Sequence, residues 1–175
     1  PLKEDMPRDC LNPYSVTKAA GEDLCKMYHK LFSLPVVIFR YFNVYGHRQP
    51  TRGQYAPVVG LFRRQRDNGE PMTIIGDGLQ RRDFTNVEDA VAANMLAASN
   101  NNPDILGELF NIGTGKNYSI LQLANMLEGE YVHIPPRPAE AREALADNSK
   151  AKELLKWSPQ INLDTWIKEN YNEIK

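Results

Sequence analysis

Residues 12–39 read NPYSVTKAAGEDLCKMYHKLFSLPVVIF. Asn12 can cap the free amides of a helix start, and Pro13 suits the first helical position. Apolar residues then recur at Val16, Ala20, Leu24, Met27 and Leu31, which predicts one face of a helix running to about Phe32. Leu34-Pro35 breaks it. Val36-Val37-Ile38-Phe39 is a short, largely β-branched run, as expected of a strand buried on both faces. A helix followed so closely by such a strand predicts a parallel α/β sheet.

Working outward, the rest of the chain continues this alternation. A polar, glycine-bearing stretch covers Asn43 to Gln54, and a helix is expected over 57–68. Met72 to Ile75 reads as a strand ended by the Gly76-Asp77-Gly78 turn. A short strand is expected over 84–87, an Ala-rich helix over 88–99 and a strand over 109–112. Gly113 and Gly115 then make a turn, and Ser119 caps a helix to about Leu127. A strand over 131–134 and helices near 149–156 and 163–174 complete the chain. The class is α/β, with a small α/β lobe built from the later segments.

The bulk properties exclude several function classes. At 175 residues, 42% apolar and 25% charged, the chain suits one compact domain or one domain plus part of another. A net charge of −1 gives no electrostatic case for a nucleic-acid or membrane-surface partner. No apolar run approaches the roughly 18 residues of a membrane span. The start, Pro1-Leu2-Lys3-Glu4-Asp5, is polar, carries no signal-peptide pattern and reads as a truncation within a loop. Cys10 and Cys25 have neither metal-ligand nor redox spacing, so no metal is expected. They read as free thiols of a reducing compartment, the cytoplasm.

The residues most suited to chemistry are Tyr14 and Lys18, four apart on one helix face. A free tyrosine titrates near 10, too high for a base at neutral pH. A lysine ammonium nearby favours the phenolate, and such a tyrosine can exchange a proton with a sugar hydroxyl. The competing reading is an exposed ladder in which Lys18 pairs with Glu22 and Glu22 with Lys26.

The context of this pair is Asn12-Pro13-Tyr14-Ser15-Val16-Thr17-Lys18, then Arg40-Tyr41-Phe42-Asn43-Val44-Tyr45-Gly46. Gly76-Asp77-Gly78-Leu79-Gln80-Arg81-Arg82-Asp83-Phe84, Val87-Glu88-Asp89, Asn111-Ile112-Gly113-Thr114-Gly115 and Arg137-Pro138 follow in order. The series resembles the extended short-chain dehydrogenase/reductase family, in its nucleotide-sugar epimerases and dehydratases, over nearly the whole chain. The resemblance implies the C-terminal part of a Rossmann-type parallel sheet plus a small α/β substrate-binding lobe. Residues 1–55 would end the dinucleotide-binding domain. Residues 56–175 would be mainly the substrate lobe, with about 84–112 returning to the Rossmann domain.

The resemblance also implies site residues. Tyr14 is similar to the family's catalytic tyrosine and Lys18 to its partner, both also touching NAD, and Tyr41 lies where the family approaches the nicotinamide. Phe42 and Asn43 match sugar and diphosphate contacts, and Gln54 and Tyr55 a diphosphate-facing segment. Thr73 lies in a strand similar to the one that reads uracil. Arg82 and Arg137 match the two arginines that hold the diphosphate and ribose, for which a guanidinium fork is suited. Glu140 stands near the family's ribose-contacting Asp. Ala144 lies where side-chain size sets the room beside the sugar, so an N-acetyl group is expected to fit.

The sequence departs from the family pattern in having no G-x-G-x-x-G stretch and no Ser or Thr among residues 1–13. The chain alone is therefore expected to be inactive. His47 stands where Pro is commoner and reads as a solvated loop residue. The implied parent is an NAD-dependent UDP-hexose 4-epimerase and a homodimer. A 4,6-dehydratase or an inert sugar-nucleotide-binding fragment are the alternatives.

Overall fold

The computed structural model describes residues 1–53 and 56–171. Helix α1 spans Pro13–Phe32. Its start is a reciprocal cap: Ser15 N–H donates to Asn12 Oδ1 at 3.0 Å, and Asn12 N–H to Ser15 Oγ at 3.2 Å. Ser33, in the left-handed region at φ 53°, ends it. The predicted apolar face forms but buries nothing: Val16, Leu24 and Leu31 are 54%, 55% and 66% exposed.

Strand β1 is Ile38–Tyr41, two residues later than the apolar run predicts. Its partner fixes this position: β1 pairs in parallel with β6, Leu109–Ile112, in the register Ile38↔Leu109 to Tyr41↔Ile112. Between them in the chain come β2 (Val44–Tyr45), α2 (Val58–Asp67), β3 (Met72–Ile75), β4 (Arg81–Asp83), β5 (Thr85–Asn86) and α3 (Val87–Ala98). After β6 follow β7 (Asn117–Ser119), α4 (Ile120–Met126), β8 (Tyr131–Ile134), a π-helical turn (Ala151–Leu155) and α5 (Leu163–Tyr171). β2 pairs with β5 and β3 with β8, both in parallel, whereas β4 pairs with β7 antiparallel. Of the strand expected over 84–87 only β5 forms: Phe84 turns into the core and Val87 already begins α3.

Two cores result. The larger joins Val59 and Phe62 of α2, Met72 and Ile74 of β3, Leu123 and Leu127 of α4, and Leu163, Trp166 and Ile167 of α5. The smaller joins Ala93 of α3, Phe110 and Ile112 of β6, and Ala151, Leu155 and Trp157, with Val37 and Phe39 against it. Asp89, buried in α3, accepts from the N–H groups of Gln160 and Ile161 at 2.9 and 3.1 Å, so the smaller core carries the chain toward α5. Among the described residues, no helix is long and apolar enough to cross a membrane and no acidic, His or Cys cluster could hold a metal.

Candidate active site

Helix α1 has no buried residue to anchor it, so polar ties fix where Tyr14 and Lys18 sit. Glu22 is the chief one. Its carboxylate accepts from Arg40 Nε at 2.6 Å and Arg40 Nη2 at 2.7 Å, a bidentate clamp to β1. Arg8 adds a contact to Glu22 at 3.1 Å and reaches Asp23 at 2.7 Å. The Arg40 guanidinium, with Arg8 beside it, holds the Glu22 carboxyl below the usual glutamate range. The Lys18–Glu22–Lys26 ladder therefore does not form: two arginines take Glu22. Lys18 turns instead to Tyr14, its Nζ 5.3 Å from the ring centroid.

Tyr14 and Lys18 line a cavity of about 760 Å³ with Phe39, Tyr41, Phe42 and Asn111. The size suits a cofactor's reactive end or a hexose. Tyr41 is tied at its hydroxyl, which accepts from Asn94 Nδ2 at 2.7 Å. Phe42 is half-buried. Asn43 sits at φ 32° and donates through Nδ2 to the Asp83 carbonyl at 3.0 Å. A phenol, an ammonium and an aromatic wall in one cavity fit the nicotinamide–ribose end of NAD. No glycine-rich phosphate turn occurs in the sequence to hold its pyrophosphate.

A second cavity, about 320 Å³, is lined by Gly76, Asp77, Gln80, Arg137, Glu140 and Arg142, among others. Gln80 is buried and donates to the Ile75 carbonyl at 2.9 Å. Arg82 donates to Glu140 at 3.1 Å and to the Arg81 carbonyl at 2.9 Å. Its side chain is 15% exposed, and burial lowers its pKa against the opposing pull of Glu140. Thr73 lines neither cavity: Gln65 engages both its N–H, at 3.2 Å, and its hydroxyl, at 3.1 Å. Ala144, half-buried, donates its N–H to the Arg81 carbonyl at 3.0 Å and also lies outside both cavity linings. Gln54 and Tyr55 lie outside the described residues.

Sequence reading missed a second ion pair at this cavity. Arg142 grips Asp77 bidentately at 2.8 and 2.7 Å. With a further bond from the Leu79 N–H, this holds the Asp77 carboxyl at about 2. The only local signal was the acidic residue within the Gly-Asp-Gly turn; its partner is remote in the chain.

Comparisons with known proteins place the chain among nucleotide-sugar epimerases and dehydratases. A family model described as GDP-mannose 4,6 dehydratase matches residues 1–170. UDP-glucose 4-epimerase of Mycolicibacterium smegmatis is 37% identical over 169 residues, 93% of this chain and 53% of that protein. The structure of Bacillus cereus UDP-glucuronic acid 4-epimerase, in complex with UDP-glucuronic acid and NAD, superposes with a TM-score of 0.85 at 36% identity. The match covers 98% of this chain and 55% of that one. A Methanobrevibacter ruminantium UDP-N-acetylglucosamine 4-epimerase in complex with UDP-N-acetylmuramic acid gives 0.88 at 30% identity, covering 98% and 56%. The chain spans about half the length of the curated relatives it matches.

Proposed function

The chain belongs to the NAD-dependent epimerase and dehydratase branch of the extended short-chain dehydrogenase/reductase family, and from that premise we propose that it is the proton-transfer and substrate-binding portion of a UDP-hexose 4-epimerase. One observation carries the reading. Arg8 and Arg40 occupy Glu22, and Lys18 stands beside the Tyr14 ring within a cavity of hexose size.

In this reading Tyr14 Oη takes the proton of the sugar 4-hydroxyl and later returns it. The Lys18 ammonium supplies positive charge next to the phenol. Tyr14, Lys18 and Tyr41 would hold the nicotinamide–ribose end of NAD, which when bound supplies reversible hydride acceptance. Arg82, desolvated and in contact with the cavity-lining Glu140 although it lines neither cavity itself, receives the diphosphate together with Arg137. The 320 Å³ cavity takes the uridine end, with the Thr73 strand as its wall. Phe42 and Asn43 border the sugar. The resemblance puts the small Ala144 side chain beside the sugar and so extends the substrate to UDP-N-acetylhexosamines, although Ala144 lines neither cavity here. The smaller core belongs with the dinucleotide-binding part and the larger with the substrate lobe. The exposed apolar face of α1 suits a homodimer, and the two exposed thiols, Cys10 and Cys25, suit the cytoplasm.

The test is incubation of the complete parent enzyme that contains this chain with UDP-glucose and NAD, with the product resolved by anion-exchange chromatography. Wild type should give UDP-galactose. Tyr14→Phe should lower turnover by about a hundredfold or more, as loss of a general acid–base does. Its affinity for UDP-glucose should hardly change. A product lighter by one water would favour the dehydratase reading, to which the family description points. Binding without turnover in the wild type would leave an inert sugar-nucleotide-binding portion.

A further inference from the structure

Asp83 is fully buried, and among the described residues no cation pairs with it. Hydrogen bonds carry its charge instead. The carboxylate accepts from the Thr114 N–H at 2.8 Å, the Thr114 hydroxyl at 2.6 Å, the Gly115 N–H at 2.9 Å and the Ala146 N–H at 3.2 Å. Its own carbonyl accepts from Asn43 Nδ2 at 3.0 Å. Four donors on two oxygens is close to the capacity of a carboxylate, and the arrangement tolerates no neutral replacement.

What these bonds join gives the residue its role. The segment 142–147 runs from one cavity to the other. It starts at Arg142, which lines the smaller cavity and grips Asp77. Bonds with Arg81 of β4 pin it next: Arg81 N–H to the Arg142 carbonyl at 2.9 Å, and Ala144 N–H to the Arg81 carbonyl at 3.0 Å. Asp83, at the far end of the same strand, takes the Ala146 N–H. The segment then reaches Leu2, whose carbonyl accepts from Asp147 N–H at 2.9 Å and from Asn111 Nδ2 at 2.9 Å. Leu2 and Asn111 both line the Tyr14 cavity. Gly113 closes the back: a Cβ there would lie 3.0 Å from Asp83 Oδ2 and 3.2 Å from Phe42 Cγ, and Phe42 is part of the Tyr14 cavity wall.

We propose that Asp83 is a positioning residue that sets the separation of the two cavities, and so determines that a ligand seated by its nucleotide in the smaller one presents its sugar to Tyr14. The inference rests on the nucleotide-sugar reading above and assigns Asp83 no contact with the ligand. Neither near-isostere should substitute. Asparagine offers one acceptor oxygen and turns an NH₂ toward backbone N–H groups. Glutamate keeps the charge but its extra methylene displaces the oxygens from their donors.

The test compares two ligands on one protein. UDP fills only the smaller cavity, whereas UDP-glucose must reach both. For Asp83→Asn, calorimetry should show UDP affinity changed by less than about threefold and UDP-glucose affinity lowered by about tenfold or more. Thr114→Val removes the 2.6 Å bond, along with the contacts of the same hydroxyl to Lys116 at 3.0 and 3.1 Å, but leaves the three N–H donors of Asp83; it should shift the same ratio in the same direction by a smaller factor. If Asp83→Asn does not fold, an unchanged ratio in Thr114→Val overturns the proposal. Equal weakening of both ligands, or a folded Asp83→Asn with neither affected, overturns it as well, because a merely structural aspartate would behave so. A wild-type protein that binds neither ligand overturns the nucleotide-sugar reading and this inference together. Normal wild-type binding with an unaltered ratio in the variants overturns this inference alone.

Discussion

Replacing Glu22 by Gln tests whether one ion pair holds the Tyr14 helix in place. The amide keeps a single acceptor and presents an NH₂ to a guanidinium, so one of the two bonds at 2.6 and 2.7 Å is lost and the other is no longer charge-assisted on both sides. Hydrogen bonds to charged groups contribute roughly 1.5–3 kcal/mol each. The side chains are 11% and 27% exposed, so screening reduces that but does not abolish it. A net loss of about 2 kcal/mol is expected. For a chain of 175 residues this lowers Tm by about 4–8 °C. The pH dependence is the sharper signature. The folded Glu22 pKa lies below its ordinary 4.5, so its stabilisation is fully present above that value and is lost as pH falls through the lowered folded value. The Tm gap between wild type and Glu22→Gln, measured by differential scanning calorimetry, should be constant from neutral pH to about 5 and narrow in acid. Asp23→Asn, which removes only the solvent-side contact of Arg8, should have a smaller effect. A gap below about 1 °C at pH 7, or one that persists undiminished in acid, would refute the reasoning.

Three further outcomes follow from the packing and the charges. Gly113→Ala would drive a Cβ into Ala146 Cβ and should cost about 1–3 kcal/mol, read as a lower urea midpoint at unchanged slope. Phe62→Ala, at a fully buried site in the larger core, should cost about 3–5 kcal/mol in the same assay. A loss below about 1 kcal/mol would mean that the larger core does not depend on α2. Arg82→Gln should weaken UDP binding by about tenfold or more, since a desolvated guanidinium charge is replaced by a neutral amide. An unchanged UDP affinity would remove Arg82 from the diphosphate site.

Helix α1 was legible because its signals are local: Asn12-Pro13 at the start, Leu34-Pro35 after the end, and a regular apolar spacing between. The same holds for β3, β6 and β8, which begin and end where their apolar runs do. β2, β4 and β7 were not visible, because strands of two or three residues carry no periodicity and β4 contains Arg81 and Arg82. Long-range pairing alone creates them, and β propensity bends to that context. The period of α1 shows that one face is apolar but not what covers it, so the exposure of Val16 and Leu31 could not be anticipated. Local spacing also misassigned Glu22. The i,i+4 rule favours Lys18, whereas Arg40 on the adjoining strand offers a bidentate partner. Asp77–Arg142 and the donors around Asp83 join residues so far apart in the chain that no motif announces them.

The central claim is that two cavities hold one ligand, with its sugar at Tyr14. A crystal structure of the protein with UDP-glucose tests it most directly. The account predicts the uracil beside Gly76 and Gln80, the diphosphate on Arg82, and the hexose 4-hydroxyl about 2.6–3.2 Å from Tyr14 Oη. A nucleotide seated in the Tyr14 cavity, or a sugar directed away from Tyr14 with the uracil correctly placed, would contradict it.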